Sequence, residues 1–149
     1  MVDVEETILE LFSLVYVSLA THEMSEDELC EILRVSRINN TKNNITGMLL
    51  YQHKYFIQVL EGTASNVKGT YRKIKSDPRH KHLIIAHQEL IAEREFDRWA
   101  MRFNHLDNLD SSDLPAFSDF LNNSVYETFF NDQSHVMLLL RMFRDKISY

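Results

Sequence analysis

The chain holds one cysteine, two prolines and three glycines in 149 residues, and each shortage excludes something. With Cys30 alone there is no internal disulfide framework, and a lone thiol suits a reducing compartment. The longest apolar run, Val136 to Leu140, falls far short of the ~20 residues that span a bilayer. The opening residues Met1 to Glu6 are acidic and lack the basic stretch of a secretory signal, so a soluble, cytoplasmic protein with no membrane contact is expected. Positive charge is also short. Sixteen basic residues against 22 acidic ones give a formal charge of -6, which nucleic acid repels. The one basic cluster, Arg79-His80-Lys81-His82, is too brief to serve as a nucleic-acid stripe. The chain contains no Gly-rich phosphate loop, HExxH, GxSxG or CxxC. No metal site is expected, because His80 and His82 form the only close histidine pair and read as a solvated loop.

What the chain does contain is enough apolar material, 44%, for one core of ordinary size. Glu10 to Ser18 is rich in β-formers and apolar on both faces, as in a covered central strand. Ser25 with Glu28 spells a capping box, and the helix it opens sets Leu29, Ile32 and Leu33 inward before ending in the Asn-rich stretch 39–44. Two strands follow, Ile45 to Tyr51 and Tyr55 to Leu60, with Glu61-Gly62 expected to break the second. A second helix carries Val67, Tyr71 and Ile74 on one face and stops at Ser76-Asp77-Pro78. Arg79 to His82 reads as a loop, Leu83 to Ile91 as a strand, and Arg98 to His105 as a last strand. The order βαββαββ, with right-handed crossovers, predicts an α+β ferredoxin-like sandwich with strands one and three adjacent and both helices on one face. From residue 106 the pattern turns helical, so we divide the chain into a domain over 1–105 and a helical extension over 106–149.

Polar residues stand where this pattern demands apolar ones. Gln58 lies mid-strand, Tyr16 lies on the neighbouring strand, and Ser36 and Asn40 continue the inward stripe of the first helix. Buried polar groups must satisfy one another or a ligand. Two readings stay open on these residues alone: a self-satisfied polar cluster, or a site for a ligand with a hydrogen-bonding edge.

Six segments bear on that choice: LVYVS (14–18), SRINN (36–40), NITGMLLY (44–51), FIQVLEG (56–62), TYRKIKSDPRH (70–80) and FDRWAM (96–101). In order and spacing they resemble the BLUF domains, blue-light sensors using FAD, over about residues 10–105. The resemblance implies a non-covalently bound flavin, FAD, with FMN as the alternative because the ring contacts are common to both. It makes Tyr16 the photoactive tyrosine and Gln58 the switching glutamine. It assigns Asn40 to the flavin ring, with Ser36 and Asn39 close by, and Arg79 and His80 to the ribityl and phosphate part. Ile32, Leu33 and Phe56 would be apolar walls. Trp99 and Met101 match residues that pass the signal outward, and Lys73 stands where relatives often carry arginine; lysine keeps the charge but loses the planar fork. The implied protein is a photoreceptor and not an enzyme. The rivals are a small acylphosphatase-like enzyme using Arg79 and Asn40, and a light-insensitive ligand-binding regulatory module of the same fold.

Output is expected through the extension. A final helix over about 133–146 would carry the stripe Val136, Leu139, Leu140 and Phe143, with Met137, Leu138 and Met142 apolar on other sides. A helix so apolar implies a regulatory protein partner or a homo-oligomer.

Overall fold

The computed structural model describes residues 10–52, 54–97, 101–105, 136–138 and 140–141. Its elements are β1 (Leu11–Ala20), α1 (Glu26–Lys42), β2 (Thr46–Gln52), β3 (Tyr55–Thr63), α2 (Ala64–Lys75), β4 (His80–Ile91) and β5 (Arg102–His105). They build one five-stranded sheet in the order β4-β1-β3-β2-β5. The first four strands pair antiparallel and β5 joins β2 in parallel. This is the ferredoxin-like arrangement, with β1 and β3 side by side as the crossover rule requires.

The alternation of side chains along each strand divides the apolar residues between two faces. On one face Phe12, Leu14, Tyr16, Leu49 and Leu60 join Leu29 and Leu33 of α1 and Val67 of α2 in a single core cluster. Both helices therefore cover the same face. On the other, Val15, Val17, Met48, Leu50, Ile57 and Val59 are fully buried. The central strands are covered twice, which is why β1 reads as apolar on both sides.

Ser25 begins α1 as its spelling predicts. Its hydroxyl accepts the Glu28 amide and the Glu28 carboxylate accepts the Ser25 amide, each at 3.1 Å. Ser25→Ala should cost about 0.5–2 kcal/mol, read as a lowered thermal midpoint without loss of fold. An unchanged midpoint would mean that other contacts set the start of this helix.

Four strand boundaries differ from the pattern by two residues or more. β3 does not break at Glu61-Gly62 but continues to Thr63, whose hydroxyl then caps α2. Glu61 stays in the ladder because its carboxylate is satisfied by backbone amides of the segment after β4. β1 runs on to Ala20, and β4 begins at His80 rather than Leu83, so Arg79–His82 is mostly strand. Ala20 pairs with His80, and register shifts fall at Val15/Tyr16 and Val17/Leu19. His82, with φ of 54°, lies within the second irregularity. Two bulges disrupt the period-2 signal that would have marked the strand. β5 begins at Arg102, and Met101 precedes it as a bend.

Residues 98–100, with Trp99, lie outside the described residues, as does most of the 106–149 extension. Within it, 136–138 and 140–141 are helical; Val136 and Leu140 are buried, while Leu138 is 52% exposed. Among the described residues no helix is long and apolar enough to cross a membrane.

Candidate functional site

Tyr16 and Gln58 are direct partners across the β1–β3 ladder, and Leu49 stands opposite Gln58 on β2. Position in the register, not chance folding, brings these side chains together on the helix-covered face. The Tyr16 hydroxyl donates to Gln58 Oε1, and Gln58 Nε2 donates to Met101 Sδ at 3.4 Å. Tyr16, Gln58 and Met101 are all buried. An amide carries two N–H groups and a thioether uses one, so Gln58 keeps a second donor for a ligand.

Burial pushes the Tyr16 phenol far above its ordinary value, and negative charge at Tyr71 and Asp77 adds to the rise. The phenol therefore stays protonated at physiological pH and remains a donor to Gln58. The native state holds this proton more tightly than the unfolded chain, so its contribution to stability is present below the ordinary tyrosine pKa and lost as pH climbs beyond it.

Above this pair lies a cleft of about 450 Å³, counting its open mouth, between the two helices and the sheet. Its apolar lining is Ile32, Leu49, Phe56 and Ile74; its polar lining is Tyr16, Ser36, Gln58, Asp77, Arg79 and His80. At the mouth Arg79 pairs with Asp77, Nη2 to Oδ2 at 2.6 Å, and the pair is part-exposed. Hydrogen bonding to Arg79 holds the Asp77 carboxyl below its usual range. His80 is tied at both ring nitrogens. Its Nε2 lies 2.6 Å from the Ile74 carbonyl, which only accepts, so Nε2 carries a proton; Ser18 Oγ lies 2.9 Å from Nδ1. The ring meets Tyr16 and Phe56 edge-on, with centroids 6.2 and 6.3 Å away.

Residues 11–102 match the family profile described as BLUF, sensors of blue-light using FAD. The chain belongs to the BLUF family. It is 40% identical over 87 residues to the photoactivated adenylate cyclase subunit alpha of Euglena gracilis, covering 58% of this chain but 8% of that subunit. Among solved structures, BlrB, a BLUF protein in its dark state, matches with a TM-score of 0.68 at 29% identity, over 83% of this chain and 98% of that one. BlsA in its photo-activated state matches with a TM-score of 0.72 at 29% identity, over 93% and 96%. The chain thus spans a small part of the cyclase subunit and nearly all of each of those two BLUF structures.

Of the residues singled out from the sequence, the cleft gathers Tyr16, Ile32, Ser36, Phe56, Gln58, Arg79 and His80. Leu33 is buried in the core cluster instead, and Asn40 is buried on the inner side of α1, its carbonyl accepting the Ile45 amide at 2.8 Å. Asn39 and Lys73 are exposed on their helices and do not line the cleft. Met101 touches Gln58 directly, and its carbonyl accepts from Arg37 Nε at 3.0 Å. Trp99 lies outside the described residues.

Sequence reasoning misses Leu49, Ile74 and Asp77. Leu49 is implied by strand register and Ile74 by the helical stripe, whereas Asp77 is hidden as part of a helix stop. The cleft fits a flavin in the chemistry of its lining: flat apolar walls for a ring, a donor and acceptor pair at Gln58, and a cation at the mouth.

Proposed function

We propose that this BLUF protein is a blue-light photoreceptor that binds flavin in the cleft above Tyr16 and Gln58, turns over no substrate, and signals to a protein partner in the cytoplasm. The observation that carries the reading is the buried chain Tyr16–Gln58–Met101, placed against a cleft with apolar walls. Bound flavin supplies absorption of blue light and, when excited, a strong pull on an electron and a proton.

The protein's share is to hold a hydrogen-bond network with two settings. Ile32, Leu49, Phe56 and Ile74 would sandwich the ring, Ser36 and Asn40 would serve its polar edge, and Arg79 the charged end. Tyr16 is the electron and proton donor, kept protonated by its burial. Gln58 is the relay. In the setting observed, Oε1 accepts from Tyr16 and Nε2 donates to Met101. If the amide rotated, Nε2 would face the Tyr16 oxygen and Oε1 would face Met101 Sδ, which has no proton to give. Met101 must then shift or lose its contact, so the setting of Gln58 is read directly by the residue before β5.

The test is optical. Purified protein should be yellow, and blue light should shift its absorption slightly to the red, reversibly in the dark. Release of the pigment and chromatography distinguish FAD, our assignment, from FMN. Colourless protein after reconstitution with either flavin, or an absorption unchanged by light, overturns the reading. Asn40→Ala should purify with a reduced flavin-to-protein ratio, on the order of 1–3 kcal/mol of binding being lost with a buried hydrogen-bonding group. Full occupancy in that variant would remove Asn40 from the site.

A further inference from the structure

Glu61 lies three residues beyond Gln58 on β3 and is 1% exposed, although the Tyr16–Gln58 network makes no use of it. Burying a carboxylate is costly, and an apolar residue would fill the place more cheaply. Its two oxygens have a specific task. Oε2 accepts the Glu95 amide at 2.9 Å and Oε1 accepts the Phe96 amide at 2.8 Å. Arg94 grips in the opposite sense, Nη1 donating to the Glu61 carbonyl and to Thr46 Oγ1 at 2.9 Å each, and Nη2 to the Asn44 carbonyl at 2.7 Å. Residues 94–96 are thereby clasped to the ends of β2 and β3. Burial raises the Glu61 carboxyl from its ordinary range, and the two amides and Arg94 oppose that rise.

The clasp has two further attachments. Phe96, fully buried, leads within five residues to Met101, which holds Gln58. The Glu95 carboxylate reaches the helical residues beyond 135, accepting from Arg141 Nε and Nη2 at 2.9 Å each. Val136 and Leu140 are buried beside that anchor in the chain.

We propose that Glu61 is a positioning residue that couples the light-sensing strand to the C-terminal helical segment, through the Glu95 and Phe96 amides and the Glu95–Arg141 pair. The proposal rests on the photoreceptor reading. β3 carries both Gln58 and Glu61, so a change in Gln58 that displaces the strand displaces the carboxylate. Two adjacent amides bound to two oxygens of one group must follow it. Glu95 then moves its own carboxylate against Arg141.

Glu61→Gln keeps the shape but replaces one acceptor with an N–H₂ that faces another N–H donor. With the reversible red shift retained, its lit-minus-dark difference in amide hydrogen exchange over residues 136–141 should vanish. Arg141→Glu alone should also lose that difference, and Glu95→Arg with Arg141→Glu, which restores the pair in reverse, should recover it. Rescue by charge reversal is not a result that a merely structural role produces. Where Glu61→Gln fails to fold, the reversal series decides. A full exchange response in Glu61→Gln, an absent rescue, or a wild-type protein that shifts its absorption without any response at 136–141 overturns the proposal. Absence of the red shift in wild type instead strikes the photoreceptor reading.

Discussion

Tyr16→Phe should leave the protein folded and yellow but abolish its normal light-induced red shift. The phenyl ring retains the packing of the tyrosine, which sits 5.7 Å from Tyr71 and 6.2 Å from His80 between ring centroids. What disappears is one hydroxyl and its bond to Gln58 Oε1. In stability terms the loss is about 1–3 kcal/mol, because Gln58 Oε1 stays buried without that donor. In function the loss is complete. Phenylalanine is neither a proton donor nor a ready electron donor, and Gln58 loses the group that distinguishes its two orientations. Gln58→Leu should match it from the other side, since leucine neither donates nor accepts. The measurement is the difference spectrum under blue light, with flavin content determined on the same sample. An ordinary photocycle in Tyr16→Phe would mean that light is read elsewhere, even though the flavin is bound.

How much of this is legible in the sequence depends on whether the physical signal is local. The pairing of Tyr16 with Gln58 can be deduced, because the βαββαβ order makes β1 and β3 neighbours and strand parity places both residues on the helix face. The start of α1 is legible because Ser25 and Glu28 lie three residues apart and satisfy each other. β4 is blurred because its pairing with β1 slips twice, so alternation fails between His80, which lines the cleft, and Leu83, which packs against the core cluster. Glu61 misleads for a different reason. Next to glycine a carboxylate suggests a strand end, and its partners Glu95 and Phe96 are more than thirty residues away. Asp77 before proline looks like a helix stop, and only the fold shows that it also holds Arg79 at the mouth. Lys73 and Asn39 enter through family likeness alone, and both are exposed on their helices.

Gly47→Ala should be the most disruptive of the three glycine-to-alanine changes. Gly47 pairs with Leu60 on β3, and an added Cβ would overlap the Val59 carbonyl oxygen. It would also lie 3.1 Å from the Val59 carbonyl carbon and 3.4 Å from Met101 Cε. The first neighbour is backbone in a central strand, and it cannot swing aside as a side chain can. Relief requires β2 and β3 to separate, which breaks ladder hydrogen bonds beside Gln58, or Met101 to leave its place. Overpacking of this kind costs about 1–3 kcal/mol when side chains give way, and the rigid partner here puts the expected loss at the top of that range or beyond. Gly69→Ala provides the control for the same chemical change. Gly69 lies inside α2, where its Cβ would meet nothing nearer than Arg72 Nη2 at 3.8 Å. Alanine in a helix interior is favoured over glycine by about 0.5–1 kcal/mol, so this variant should be more stable than wild type. Denaturant midpoints of the two variants should therefore move in opposite directions, and Gly47→Ala should also distort the red shift of whatever fraction folds. A Gly47→Ala protein with wild-type midpoint and spectrum would show that β2 and β3 have room for a methyl group beside the Gln58–Met101 contact.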